Sequence, residues 1–181
     1  YLADVINDES HTIDRSFRPN QIFAVGGLPL ILLPPQEAEQ VVNAVAESLY
    51  TPHGLRSLAP TDPRYHGRYE GGPRHRDSIY HQGTAWAWLL GPFVEAWMRV
   101  HDFSENALDS ANERFMLPWL AHVGCQSLGH VSEIADGDPP HTPRGCPFQA
   151  WSLGELLRVR ALMNNAPPAH ARGLWIAKNA S

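Results

Sequence analysis

Residues 82–123, QGTAWAWLLGPFVEAWMRVHDFSENALDSANERFMLPWLAHV, carry two helical patterns in succession, and their reading decides the fold. In the first, Leu90, Phe93, Val94, Trp97 and Met98 recur at the three- and four-residue steps that line one helix face, which predicts a helix from about Gln82 to His101. Pro92 has no N–H for the carbonyl of Trp88, so a kink is expected there. In the second, Ser104 is a good N-cap, and Leu108, Ala111, Phe115 and Trp119 carry the apolar face to about Val123, with a bend expected at Pro118. Outward from this stretch, the same spacing predicts a helix over 36–49, where Ala38, Val41, Val42, Val45 and Leu49 follow Pro34-Pro35. Another is expected over 148–163, entered at Pro147 and faced by Trp151, Leu153, Leu156 and Leu157. A short one opens at Arg18-Pro19 and runs to Val25. No alternating strand pattern competes, although Tyr1 to Ile6 is ambiguous. The chain reads as all-α, one domain over 1–181.

Composition narrows the partners. Among 181 residues, 43% are hydrophobic and 18% charged, the formal charge is -5, and the basic residues are scattered, so no nucleic-acid partner is expected. The best apolar run, Ile22 to Leu33, is interrupted by Gly26, Gly27 and Pro29 and falls short of the roughly 18 to 20 residues that cross a bilayer, so no membrane partner is expected either. No charged and apolar leader follows Tyr1. Cys125 and Cys146 are too few for a disulfide framework or a zinc site and are expected to be reduced and buried. HExxH and phosphate-cradling glycine patterns are absent, so neither a metal nor a cofactor is expected.

Two segments are too long for plain helix–helix turns, 51–80 and 124–147, and long ordered loops usually carry function. The first and its continuation to Trp88 mix donors with rings: Arg56, Tyr65, Tyr69, Arg76, Asp77, Tyr80, His81, Gln82, Trp86 and Trp88. Sugars present C–H faces rimmed by hydroxyls, which such a mixture suits. Composition leaves a plainer reading open, with Trp86 and Trp88 in the core and Arg76-Asp77 a local ion pair. In the second segment, Glu133 sits between Val131 and Ile134, where partial burial would raise its pKa and fit it for acid or base work. Asp136-Gly137-Asp138 is a turn signature with carboxylates expected in solvent.

Five ordered blocks carry a resemblance: RPNQ at 18–21, TPHGLRSLAPTDPRYHGRY at 51–69, RDSIYHQGTAWAWLLGPF at 76–93, SEIADGD at 132–138 and PRGCPFQAWSLGELLR at 143–158. Together they resemble the C-terminal, amylo-α-1,6-glucosidase domain of glycogen debranching enzymes. The resemblance implies an (α/α)6 toroid, of which this chain would be about the C-terminal half. It implies hydrolysis of the α-1,6-linked glucose at glycogen branch points with inversion, in a cytoplasmic enzyme. Glu133 matches the family's general base. The matching general acid, an Asp in an upstream block, is not found here, and Asp14, Asp77 and Asp136 lie in the wrong motifs. Arg18, Asn20, Gln21, His81, Gln82, Trp86, Gln149 and Trp151 fall in blocks implied to line the pocket. Arg76 and Tyr80 either join them or orient His81 and its loop. The implied partners are glycogen or a branched limit dextrin and the remaining N-terminal part of the toroid. Gly26-Gly27 and Pro147-Phe148 depart from the family pattern. The alternative is a non-catalytic glucan-binding or structural module made of a truncated toroid.

Overall fold

The computed structural model describes residues 1–7, 9–125 and 128–166, with only the backbone of Cys125. The helix expected over 36–49 is α1 (Pro35–Ser48), with proline at its start, Glu37 in its first turn, and Ala38, Val41, Val42 and Val45 buried. The short N-terminal helix forms as a 3-10 segment, Pro19–Ala24. It packs closely on the central helix: a Cβ on Gly26 would overlap the carbonyl oxygen of Pro92 and the backbone of Ala96. That approach leaves room only for a residue without a Cβ at this position.

The chain is not all-α. Among the described residues, seven short strands interrupt the helices. β1 (Val5–Asn7) and β2 (Thr12–Asp14) pair as an antiparallel hairpin. A second, five-stranded antiparallel sheet runs in chain order: β3 (Tyr50–Thr51), β4 (Gly54–Arg56), β5 (Ala85–Trp86), β6 (Ile134–Ala135) and β7 (Pro143–Arg144). Its strands are two or three residues long, too short to show a period in sequence. The first long loop also holds α2 (Pro73–Ile79).

The helix expected from Gln82 is correspondingly shorter. Ala85 and Trp86 pair in β5, Ala87–Leu89 make a 3-10 turn, and α3 (Leu90–Val100) begins only at Leu90. Pro92 thus falls in the first turn, where no intrahelical N–H is needed, and the expected kink has no cause. Every residue from Leu90 to Met98 is buried, and α3 packs against α1 and against the later helices Glu105–Ala111 and Ala150–Asn164.

The second pattern forms α4 (Glu105–Ala111), a π-helical segment Asn112–Met116 and α5 (Leu117–Cys125). Ser104 caps α4, its Oγ accepting from the N–H of Ala107 at 3.3 Å. Pro118 removes the donor that a regular helix would give the carbonyl of Arg114, and the Tyr50 hydroxyl donates to that carbonyl instead, at 2.6 Å. The last helix, α6 (Ala150–Asn164), starts two residues later than expected and is pinned to α3 by ions. Buried Glu95 of α3 faces Arg99 at 2.5 Å and Arg158 of α6 at 2.6 Å.

Candidate active site

The sheet register assembles the site. Trp86 pairs with Leu55 on one side and Ile134 on the other, so Glu133, the residue before β6, comes to the end of β5 where Trp86 and the turn to α3 begin. A cavity of about 540 Å³ opens there. It is lined by Arg18, Pro19, Asn20, Ser57, Tyr80, His81, Trp86, Trp88, Leu89, Glu133 and Trp151.

Its walls are aromatic. Trp88 stacks on Trp151 with centroids 5.1 Å apart, Trp86 meets Trp151 edge-on at 6.3 Å, and His81 lies parallel to Trp86 at 4.9 Å. Burial first, and then the positive charge of Arg18, lowers the pKa of His81, so its ring is neutral near pH 7 and offers one donor and one acceptor. Glu133 is partly buried. Its Oε2 accepts from the N–H of Cys146 at 3.1 Å and its Oε1 from the Gln149 amide at 3.4 Å. Gly145 makes this approach possible: at φ +68 it turns the chain so closely that a Cβ would overlap Glu133 Oε2.

The residues expected in the pocket divide by position. Arg18, Asn20, Tyr80, His81, Trp86, Trp151 and Glu133 line it. Arg18 also braces the frame, donating to the carbonyls of Ser57 at 2.9 Å and His81 at 2.7 Å and to Gln82 Oε1 at 2.9 Å. Gln82 therefore lies behind the wall, as does Gln149 behind Glu133. Gln21 is buried to one side, its amide donating to the Arg18 carbonyl and accepting from the Leu2 N–H. Arg76 stands exposed on α2 with its guanidinium 5.9 Å above the ring of Tyr69. Ser57, Pro19, Trp88 and Leu89 complete the lining; of these only Trp88 had a compositional signal.

Two expectations fail. Asp136 is not solvated: it is 1% exposed and receives Arg144 Nη2 at 3.0 Å, Arg144 Nε at 3.1 Å and the Tyr69 N–H at 2.8 Å. Its neighbour Asp138 accepts from the Tyr65 hydroxyl at 2.9 Å. Turn composition reads the backbone correctly but says nothing of the arginine that arrives from β7. Cys146 is exposed rather than buried, because it sits in the tight turn that offers its N–H to Glu133. The side chain of Cys125 lies outside the described residues.

Behind Glu133 lies a cluster of imidazoles. His122 Nε2 is 3.2 Å from Ser132 Oγ, and the His53 ring sits 4.5 Å from His122 and 6.2 Å from His141. Burial, then the charges His122 and His141 would carry, pushes the pKa of His53 from 6.5 down to about 4, and burial lowers that of His122 as well. In the unfolded chain these rings protonate near pH 6.5, whereas the folded state resists. The unfolded state therefore binds more protons between these values, and stability is fully present above about pH 6.5 and lost as pH falls towards 4. The urea midpoint is expected to decline across that window, and His53→Gln to make the decline shallower. An unchanged slope in the variant would show that the cluster contributes nothing. Among the described residues, no group of three or more His, Cys, Asp or Glu side chains is placed to hold a metal ion.

The cavity combines stacking faces of Trp86, Trp88 and Trp151 with a neutral imidazole, a guanidinium and one carboxylate, groups that can stack on and hydrogen-bond a hydroxyl-bearing ring. Residues 1–158 match the family model described as amylo-alpha-1,6-glucosidase. A glycogen debranching enzyme of Saccharomyces cerevisiae is 28% identical over 162 residues, which cover 80% of this chain and 10% of the yeast protein. The chain belongs to the amylo-alpha-1,6-glucosidase family, and it spans about a tenth of the length of that relative. Among the described residues no helix is long and apolar enough to cross a membrane.

Proposed function

We propose that this chain is the part of a glycogen debranching enzyme that carries the general base for hydrolysing the α-1,6-linked glucose at a branch point, with inversion. The observation that carries the reading is Glu133: among the described residues it is the one carboxylate lining the aromatic cavity. Inverting hydrolysis needs a second carboxyl roughly 6.5 to 9.5 Å away to protonate the leaving oxygen. That acid would come from the enzyme outside these residues, along with the rest of an (α/α)6 toroid to which α1 and α3 to α6 belong. Glycogen or its limit dextrin is the substrate of this reading. The test is glucose release from a branched limit dextrin by the whole enzyme carrying this chain. A Glu133→Gln enzyme that turns over at the unmodified rate overturns it.

A second reading, a module that holds glucan without cleaving it, is favoured by the lone carboxylate. The two part on the whole enzyme, since a module would bind dextrin and release no glucose. Under either reading the chain alone leaves apolar surface uncovered, with Leu30, Leu32, Phe148, Trp151 and Leu157 all exposed. Such patches drive association. The isolated chain is expected to self-associate, and a single 20.1 kDa species in light scattering would contradict this.

A further inference from the structure

The stretch ahead of the β1–β2 hairpin runs beside Arg18 to Gln21 and grips it twice. The Leu2 N–H donates to Gln21 Oε1 at 3.1 Å, and Asp4 Oδ1 accepts from Asn20 Nδ2 at 2.9 Å. The other carboxylate oxygen of Asp4 faces Arg18 Nε at 3.5 Å, and the two side chains are only 12% and 15% exposed, so little water competes for them. Asp4 is fixed in turn by its own N–H, which donates to the Asp14 carbonyl at 2.9 Å and closes the base of the hairpin. It does not line the aromatic cavity. It lines a smaller one of about 230 Å³, which shares Arg18 and Asn20 with the first.

A carboxylate offers acceptors alone, so the end of the Asn20 amide that meets Asp4 has to be the nitrogen. The oxygen is then the free end, and among the described residues nothing donates to it. Arg18 is more fully engaged. Its Nη1 serves the carbonyls of Ser57 and His81 and its Nη2 serves Gln82 Oε1, which leaves one Nη2 hydrogen for a ligand.

We propose that Asp4 is a positioning residue that sets the polarity of this wall: it holds the Asn20 amide by its nitrogen and so presents Asn20 Oδ1 to the cavity as an acceptor for a sugar hydroxyl. The assignment rests on the reading of the cavity as a sugar site. An acceptor at this point selects a hydroxyl that can donate, and it rejects a ligand that places an acceptor there, because two sets of lone pairs would face each other. Without Asp4 the amide could turn either end inward, and the selection would be lost.

The test compares glucose with its monodeoxy and monodeoxyfluoro analogues, one hydroxyl at a time, as inhibitors of glucose release by the whole enzyme carrying this chain. Fluorine accepts weakly and cannot donate. The hydroxyl that meets Asn20 is therefore expected to be one whose deoxy and fluoro analogues both bind about three- to tenfold more weakly than glucose, and Asn20→Ala should erase that penalty at that position alone. Asp4→Asn is isosteric and frees the amide to turn. It should reduce the fluoro penalty below the deoxy one and raise KM for a branched dextrin about threefold, with kcat changed less than about twofold. In the Asn20→Ala background it should change neither quantity further, because Asp4 acts through Asn20. Additive effects of the two substitutions overturn the proposal. So does a loss that fluorine restores in the unmodified enzyme, which would make Asn20 a donor; that comparison needs no change at Asp4 and decides the matter if Asp4→Asn does not fold. An enzyme inhibited by none of the series overturns the sugar reading and this one together, whereas inhibition indifferent to both Asp4→Asn and Asn20→Ala overturns the role of Asp4 alone.

Discussion

Glu133→Gln in the whole enzyme is expected to lower kcat for glucose release from a branched dextrin by about 10² to 10⁴, the usual contribution of a positioned acid or base. The substitution is nearly isosteric. The amide oxygen still accepts from the Cys146 N–H, so the tight turn at Gly145 keeps its partner. What disappears is the capacity to take a proton from the attacking water. Substrate affinity is expected to hold within about threefold, because the stacked indoles of Trp88 and Trp151 and the His81–Trp86 pair are untouched. Initial rates with calorimetric binding of the same dextrin check both halves. Equal losses of rate and affinity would mean that Glu133 chiefly holds the sugar.

Asp136→Ala is expected to have the largest effect on stability. Its carboxylate is buried and holds together three segments: the strand that follows Glu133, β7 through Arg144, and the loop at Tyr69. Removing one partner of a buried pair typically costs about 3 to 5 kcal/mol. The lower end applies here because the Arg144 side chain is 33% exposed and regains some water. At about 2 to 4 °C per kcal/mol for a chain of this size, the thermal midpoint should fall by roughly 6 to 12 °C. Asp138→Ala, which loses a single bond to Tyr65, should cost only about 1 kcal/mol. A shift for Asp136→Ala no larger than that for Asp138→Ala, measured by circular dichroism, would contradict the argument.

These two carboxylates, three positions apart, also mark how far sequence alone reaches. Glu133 is legible through its block resemblance, and its partners are not, since the donors, the Cys146 N–H and the Gln149 amide, lie 13 and 16 residues further along the chain. Asp136 reads as a turn because Asp-Gly-Asp is one; the arginine that buries it is known only once β6 and β7 pair. The same limit applies to Arg18. Its fork of donors is evident from residue type, but that two of them bind the carbonyls of Ser57 and His81 depends on long-range packing. Helices fare better because their signal is local. α1 and the run from Ser104 to Cys125 appear where the 3.6-residue spacing puts them. The error at 82–89 has a physical source: Trp86, Leu89 and Leu90 suit a helix face, yet a strand of two residues captures the first of them, and so brief an element leaves no alternation to detect.

The brevity of those strands has a further consequence for how the site tolerates change. β5 and β6 are neighbours in the sheet although the whole of α3, α4 and α5 intervenes along the chain. The span from the indole of Trp86 to the carboxylate of Glu133 is therefore governed by a single inter-strand step of about 4.8 Å, not by the path of the helices between them. Insertions at the bend before Ser104, or in the loop after α5, would lengthen the protein without altering that span. The connections between the helices can thus change in length while the distance between Trp86 and Glu133 stays constant, as the gauge of a track stays constant over changing ground.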